Sequence, residues 1–215
     1  YFGFFTDDAL RDQVGIRDAK LDAPDRSTTA ATPVPRSAPM PNDKLRMIDT
    51  VDALELDGGR NGCGYVEGHV DVDPSAWFFE AHFYEDPVWP GSLGLESFVQ
   101  LLKTWAVRRF ALGPDARFST AATHRPHRWS YRGQVTPESR ELTYELFIEE
   151  VHEGPEPMLY ADLLCTVDGL GAFHARRFGL KLVPDWPMAE VTRGPAQRPL
   201  LADAHGPPRP ALARS

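Results

Sequence analysis

Between Trp77 and Glu96 the chain places three kinds of chemically useful group in one short run. His82 follows an aromatic stretch and can take a proton as a general base. Glu96 sits in an apolar helical pattern among Leu93, Leu95 and Phe98, where an ionised carboxylate is costly unless paired. Such surroundings raise a carboxyl pKa and keep the proton on, which a general acid needs. Between them, Pro87 and Pro90 stiffen a loop and Gly91-Ser92 start a helix. The amides from Gly91 to Leu93 then lack intrahelical acceptors and can hold a carbonyl oxygen that turns negative. Each residue also has a plainer reading, His82 as a satisfied core histidine and Glu96 as an exposed helix carboxylate.

The elements that must position these groups are legible as periodicity. Ser92 to Leu112 predicts the one long helix, with Leu95, Phe98, Leu101, Leu102, Trp105 and Phe110 at three- and four-residue steps and Gly113-Pro114 ending it. Tyr65 to Val72 alternates as a strand, and the aromatic run before His82 reads as the end of another. Three further strand-like runs follow the helix, Leu142 to Glu149, Leu159 to Val167 and Phe173 to Val183. Glu153-Gly154-Pro155 and Asp168-Gly169 separate them at lengths suited to antiparallel turns. The expected class is α+β, an antiparallel sheet wrapped around one central helix.

At the start, Thr6 to Val14 predicts a short helix capped by Thr6, and Asp22 to Pro41 is too rich in Pro, Ser and Thr to order itself. The proline-rich stretch after residue 184 reads the same way, so the expected organisation is a preceding module end and linker over 1–40, a folded domain over 41–184 and a linker over 185–215. Opening on Tyr1-Phe2-Gly3-Phe4-Phe5 without methionine suggests a piece of a longer polypeptide.

A formal charge of −8 argues against nucleic-acid binding, which needs net positive charge to displace counterions. No apolar run reaches membrane-spanning length, and Cys63 and Cys165 form no metal-type or redox-type pair, so a soluble cytoplasmic protein is expected. His124 and His127 invite a zinc reading, but Pro126 between them and the lack of a nearby cysteine or acid favour loop histidines and no metal. Gly58, Gly59 and Gly62 read as turn residues, since neither a lysine nor a helix follows.

The order His82-Phe83, Asp86-Pro87-Val88, Pro90-Gly91, Leu93-Gly94-Leu95 and then an acid resembles the active-site segment of the β-hydroxydecanoyl-acyl-carrier-protein dehydratase family, hot-dog enzymes of fatty-acid synthesis. The distance from base to acid is the family's. Weaker similarity runs from Met47-Ile48-Asp49 through Tyr131-Arg132-Gly133-Gln134-Val135-Thr136-Pro137 to the last strand, over residues 41 to 184. The resemblance implies a hot-dog fold in which His82 removes the proton beside a thioester carbonyl and Glu96, from the other subunit of a dimer, protonates the departing hydroxyl. It further implies that the Gly91 amide holds the carbonyl, that the Val88 carbonyl orients the imidazole, and that Gln100 lies near the acid. Glu96 stands where bifunctional relatives carry aspartate, and Ser92 where they carry cysteine. Elimination fits both changes, and whether the double bond then shifts stays open.

The first forty residues resemble the segment preceding dehydratase domains in polyunsaturated-fatty-acid and polyketide synthases. The implied substrate is a 3-hydroxyacyl chain on the phosphopantetheine of an acyl carrier protein domain, with no inorganic cofactor, and the implied assembly is a homodimer or a pair with a neighbouring hot-dog domain. Arg125, Arg128 and Arg132, in a basic stretch of an acidic chain, are candidate contacts for the phosphopantetheine or the carrier, against the bland reading that they are solvated. Two alternatives stand beside this one: a non-catalytic hot-dog module for acyl binding or dimerisation, and a hot-dog thioesterase.

Overall fold

The computed structural model describes residues 31–34, 40–113, 116–119, 126–154 and 156–183. Eight strands form one antiparallel sheet: β1 (Thr32–Pro33), β2 (Thr50–Glu55), β3 (Tyr65–Asp71), β4 (Phe118–Ser119), β5 (Arg128–Tyr131), β6 (Glu141–His152), β7 (Met158–Val167) and β8 (Leu170–Leu182). Their order is β1-β2-β3-β6-β7-β8-β4, with β5 also paired to β8. Among the described residues two α-helices accompany the sheet, α1 (Trp77–Ala81) and α2 (Gly91–Arg109), with one 3-10 turn at Asp43–Leu45.

The sheet encloses α2 because alternate residues of its long strands are apolar on one side. Val66 and Val70 of β3, Leu142, Leu146 and Ile148 of β6, Leu159 and Leu163 of β7, and Phe178 and Leu180 of β8 belong to a single core with Phe98, Leu101, Leu102 and Trp105 of α2. The four helix residues are each 0 % exposed. Burying side chains of this size stabilises the fold by about 1.5–3 kcal/mol apiece. Trp105 is also fixed in direction, its indole N–H donating to the Glu55 carbonyl at 2.8 Å. The chain makes room for that ring with Gly64, whose φ of 134° suits glycine and where a Cβ would lie 2.5 Å from the indole. Arg108 and Arg109 in the last turn of α2 complement its C-terminal partial charge.

Among the described residues four bulges bend the sheet. Asp52 is an extra residue in β2, Glu149 is an extra residue in β6, Ala172 of β8 is an extra residue between the partners of Cys165 and Thr166 of β7, and Arg176-Arg177 of β8 oppose Asp162 alone of β7. Arg177 takes a φ of 57°, and its amide donates to the Asp162 carboxylate at 3.1 Å. On the side of the sheet away from α2, Tyr65, Ala53 and Phe147 form a second buried cluster. Its polar neighbour Glu67 is 1 % exposed, with the Tyr65 hydroxyl 2.7 Å away.

The central helix, the antiparallel sheet and the four long strands agree with the sequence expectations. The turn at Asp168-Gly169 takes the left-handed conformation at both residues that a two-residue hairpin turn calls for. Three expectations need correction. The aromatic run before His82 is the helix α1 and not a strand: the Asp73 carboxylate accepts the Ser75 amide at 2.8 Å and starts a turn, after which both Phe78 and Phe79 are buried, as strand alternation would not allow. The folded region reaches upstream of residue 41, because Thr32 and Pro33 pair with Val51 and Thr50 and Val34 is buried in the core. Strands β2 and β5 add to the expected set, β5 being a short polar run whose pairing is supplied by β8. The helix expected at Thr6–Val14 and the linker after residue 184 lie outside the described residues. Among the described residues no helix is long and apolar enough to cross a membrane.

Candidate active site

His82 ends α1, its amide donating to the Phe78 carbonyl at 2.9 Å. The backbone then turns tightly, with Phe83 and Asp86 exchanging amide-to-carbonyl bonds of 2.8 and 3.2 Å and Glu85 in the left-handed region. This brings Val88 back to His82 on two counts. The Val88 amide donates to the His82 carbonyl at 2.8 Å, and the imidazole Nδ1 lies 3.0 Å from the Val88 carbonyl. A carbonyl cannot donate, so Nδ1 carries the hydrogen and Nε2 presents a lone pair. The half-buried imidazole is covered on one side by the Phe83 ring, 3.8 Å between centroids. Trp89 locks the loop from behind, its amide donating to the Val135 carbonyl at 2.8 Å and its ring packed 4.5 Å from that of Phe78.

Pro90 caps α2, and its carbonyl accepts the amides of both Leu93 and Gly94, at 2.9 and 3.2 Å. The donor range expected from sequence, Gly91 to Leu93, therefore narrows to Gly91 and Ser92, because the helix itself uses Leu93. Ser92 is exposed and Gly91 half-buried. The Tyr131 hydroxyl donates to the Gly91 carbonyl at 3.3 Å. Its ring stacks on Phe173, 5.3 Å away and tilted by 25°, and Phe173 in turn fills the space against Gly94, where a Cβ would lie 2.7 Å from it. Burial, with Cys165 nearby, holds the Tyr131 phenol above its ordinary range, so it remains a proton donor.

One turn into α2, the half-buried Glu96 accepts a hydrogen bond of 3.0 Å from the Gln100 side-chain amide. Gln100 is itself held at both ends: its Nε2 also donates to the Leu45 carbonyl at 2.7 Å, and its Oε1 accepts the Met47 amide at 3.0 Å. Ser97 adds a third tie, donating to the Met47 carbonyl at 3.0 Å. The segment preceding β2 is thus fastened to the turn of α2 that carries the acid. No hydrogen bond joins His82 to Glu96 among the described residues; each is anchored by its own partner.

Of the expected carrier contacts, Arg128 and Arg132 are exposed on and just beyond β5, and Arg125 lies outside the described residues, as does His124. Arg128 stands directly opposite Arg176 of β8, so two cations face one another across the strands. Arg132 follows Tyr131, its amide on the Ala172 carbonyl at 2.7 Å. His127 is exposed, and among the described residues no three His, Cys, Asp or Glu side chains gather as a metal site would require. Cys165 is buried in the core, which pushes its thiol well above the ordinary range. Gly59 and Gly62 have positive φ in the turn before β3.

Sequence reasoning missed Tyr131 and Ser97 as parts of this site, and also Leu45 and Met47 as the backbone that fixes Gln100. None carries a local signal, since each acts through a partner far away in the chain.

An antiparallel sheet curled round one long helix, with a histidine on the loop entering that helix and a carboxyl group a turn inside it, defines a hot-dog protein. Residues 40–176 match the FabA-like domain, and the chain belongs to that family. It is 35% identical over 146 residues to one of the polypeptides of the polyunsaturated fatty acid synthase of Thraustochytrium sp.. That alignment covers 66% of this chain and 10% of the synthase polypeptide, so the chain spans about a tenth of that relative's length. Among solved structures, the dehydratase heterocomplex ApeI:P from Xenorhabdus doucetiae aligns with a TM-score of 0.51 at 12% identity, covering 75% of this chain and 96% of the other. The second likeness is one of fold.

Proposed function

We propose that this domain removes water from 3-hydroxyacyl thioesters to give 2-enoyl thioesters, on acyl chains carried by the phosphopantetheine of a synthase's acyl carrier protein domain. The observation that carries the reading is the fixed tautomer of His82. With Nδ1 committed to Val88, Nε2 is left as the base, on the loop that leads into α2, whose first two amides have no acceptor within the helix. Nε2 takes the proton from C2, and the electrons of that C–H bond form the C2–C3 double bond as the C3–O bond breaks. Glu96 gives its proton to the departing hydroxyl, which leaves as water. Negative charge on the thioester oxygen is held by the Gly91 and Ser92 amides. No inorganic cofactor enters these steps.

His82 and Glu96 are tied to separate partners within one chain, and the aromatic side chains Trp77, Phe83 and Tyr84 beside His82 are 51%, 52% and 89% exposed. Two copies, or this domain and a neighbouring hot-dog domain, pair through this region so that the base of one meets the acid of the other. The carrier approaches along β5, where the exposed Arg128 and the nearby exposed Arg132 offer positive charge on an otherwise acidic protein.

The test is product mass. Purified domain given 3-hydroxyacyl substrates, on a carrier protein and on free pantetheine, yields an acyl chain lighter by one water and still esterified. Freed acid indicates hydrolysis, and an unchanged mass a non-catalytic module; either outcome overturns the proposal. His82→Ala and Glu96→Gln each lower turnover by about 10²- to 10⁴-fold without unfolding the domain. Mixing the two inactive variants restores part of the activity if the pair is shared between subunits. Reversing charge at Arg128 and Arg132 slows the carrier-bound substrate and leaves the pantetheine substrate unaffected; equal effects on both would remove the carrier from this face.

A further inference from the structure

The donor strength of a backbone amide depends on what its own peptide carbonyl is doing. The Gly91 amide shares a peptide with the Pro90 carbonyl, which already accepts two hydrogen bonds, from Leu93 and Gly94. The Ser92 amide shares a peptide with the Gly91 carbonyl, and there the external donor is Tyr131, at 3.3 Å from the end of β5. Hydrogen bonds in such a chain polarise one another, so a donor on the carbonyl oxygen makes the N–H of the same peptide more acidic and a better donor.

We propose that Tyr131 is a positioning residue for the oxyanion site, its hydroxyl polarising the Gly91–Ser92 peptide so that the Ser92 amide binds the thioester oxygen more strongly as charge builds there. This rests on the start of α2 being where the thioester carbonyl sits. The geometry favours a dedicated role over incidental contact. The ring of Tyr131, though 51% exposed, lies between Gly91, where a Cβ would come within 3.2 Å of it, and the stacked Phe173, and these two contacts aim the hydroxyl at the carbonyl. Glycine at 91 is what lets the phenol approach. A phenylalanine at 131 would keep this packing and lose only the bond to the carbonyl, so the hydroxyl's effect can be isolated from the ring's.

Removing a whole oxyanion donor costs about 10²- to 10³-fold in kcat, and cooperative strengthening is about 10–30% of one bond, so Tyr131→Phe lowers kcat by about two- to eightfold with KM little changed. The deciding readout is spectroscopic. An acyl pantetheine thioester without a 3-hydroxyl, labelled with ¹³C at the carbonyl, is bound to wild type and to Tyr131→Phe. Its carbonyl stretch falls below that of the free thioester in wild type and recovers part of the way in the variant. Equal stretches in the two proteins, a wild-type stretch equal to that of the free thioester, or a raised KM at unchanged kcat would each overturn the proposal. The infrared comparison needs binding and no turnover. A domain that fails to dehydrate therefore sinks the reading of its reaction and leaves the role of Tyr131 to be decided by the spectrum.

Discussion

Exchanging one atom group of Gln100 exposes how the acid is held. Gln100→Glu keeps the shape and the oxygen that accepts the Met47 amide, but replaces the NH₂ that donates to Leu45 and Glu96 at 2.7 and 3.0 Å. The position is 1 % exposed, so the introduced carboxyl group, facing a carbonyl and a second carboxyl group, ionises only at great cost. Held neutral, it retains one O–H for two acceptors and loses one hydrogen bond, worth about 1 kcal/mol. Keeping a carboxyl with a reference value of about 4.3 protonated at about pH 7 costs about 3.7 kcal/mol, at 1.36 kcal/mol per unit. The variant is then destabilised by about 4–5 kcal/mol near neutrality. Because the folded-state value is raised, the penalty belongs to high pH and fades as pH falls towards the unfolded value, leaving about 2 kcal/mol at about pH 5. Urea denaturation of variant and wild type at the two pH values measures both numbers. A loss below about 1 kcal/mol at neutral pH, or one that does not shrink on acidification, would refute the tethering of Gln100 described above.

Two other substitutions test the frame. Gly64→Ala forces a side chain into a φ of 134° and against Trp105, so it lowers unfolding free energy by about 3 kcal/mol or more in urea, whereas Gly113→Ala, with open space around it, stays within about 0.5 kcal/mol. His69 pairs with Asp52 at 2.8 Å; burial alone would lower its pKa, but the bond and charge of Asp52, aided by Glu141 and Asp71, raise it. A raised histidine stabilises below its unfolded value of about 6.5 and loses that contribution as pH climbs through the folded one, so His69→Gln lowers the urea midpoint in acid and converges on wild type in alkali. A gap that widens with pH would reverse that assignment.

What can be read from the sequence divides by the range of the interactions involved. Helix α2 and strands β3, β6, β7 and β8 announce themselves because their apolar periods are long enough to exclude the alternative. The order from His82 through Gly91 to Glu96 is visible for a related reason, being confined to one stretch of chain. Strand β5 is not, since Arg128-Trp129-Ser130-Tyr131 gains its partners only from the edge of β8. Nor are the ties of Gln100, whose acceptor and donor lie 55 and 53 residues earlier, at Leu45 and Met47. Helix α1 reads wrongly as a strand because adjacent aromatic residues satisfy a strand's composition, and the deciding turn at Asp73 depends on a side chain bonding backbone rather than on hydrophobicity.

The irregularity at Arg176-Arg177 of β8 has a consequence for how the strand's sequence tolerates change. Phe173 and Ala175 face the helix, and so do Phe178 and Leu180, which are an odd number of positions further on. The additional residue at Arg176-Arg177 shifts the phase of the strand, keeping an arginine out of the interior and returning the next phenylalanine to it. Removing or inserting a single residue there would not shorten or lengthen a loop. It would turn the last third of the strand inside out, so length variation that the hairpin tips absorb is forbidden at this point.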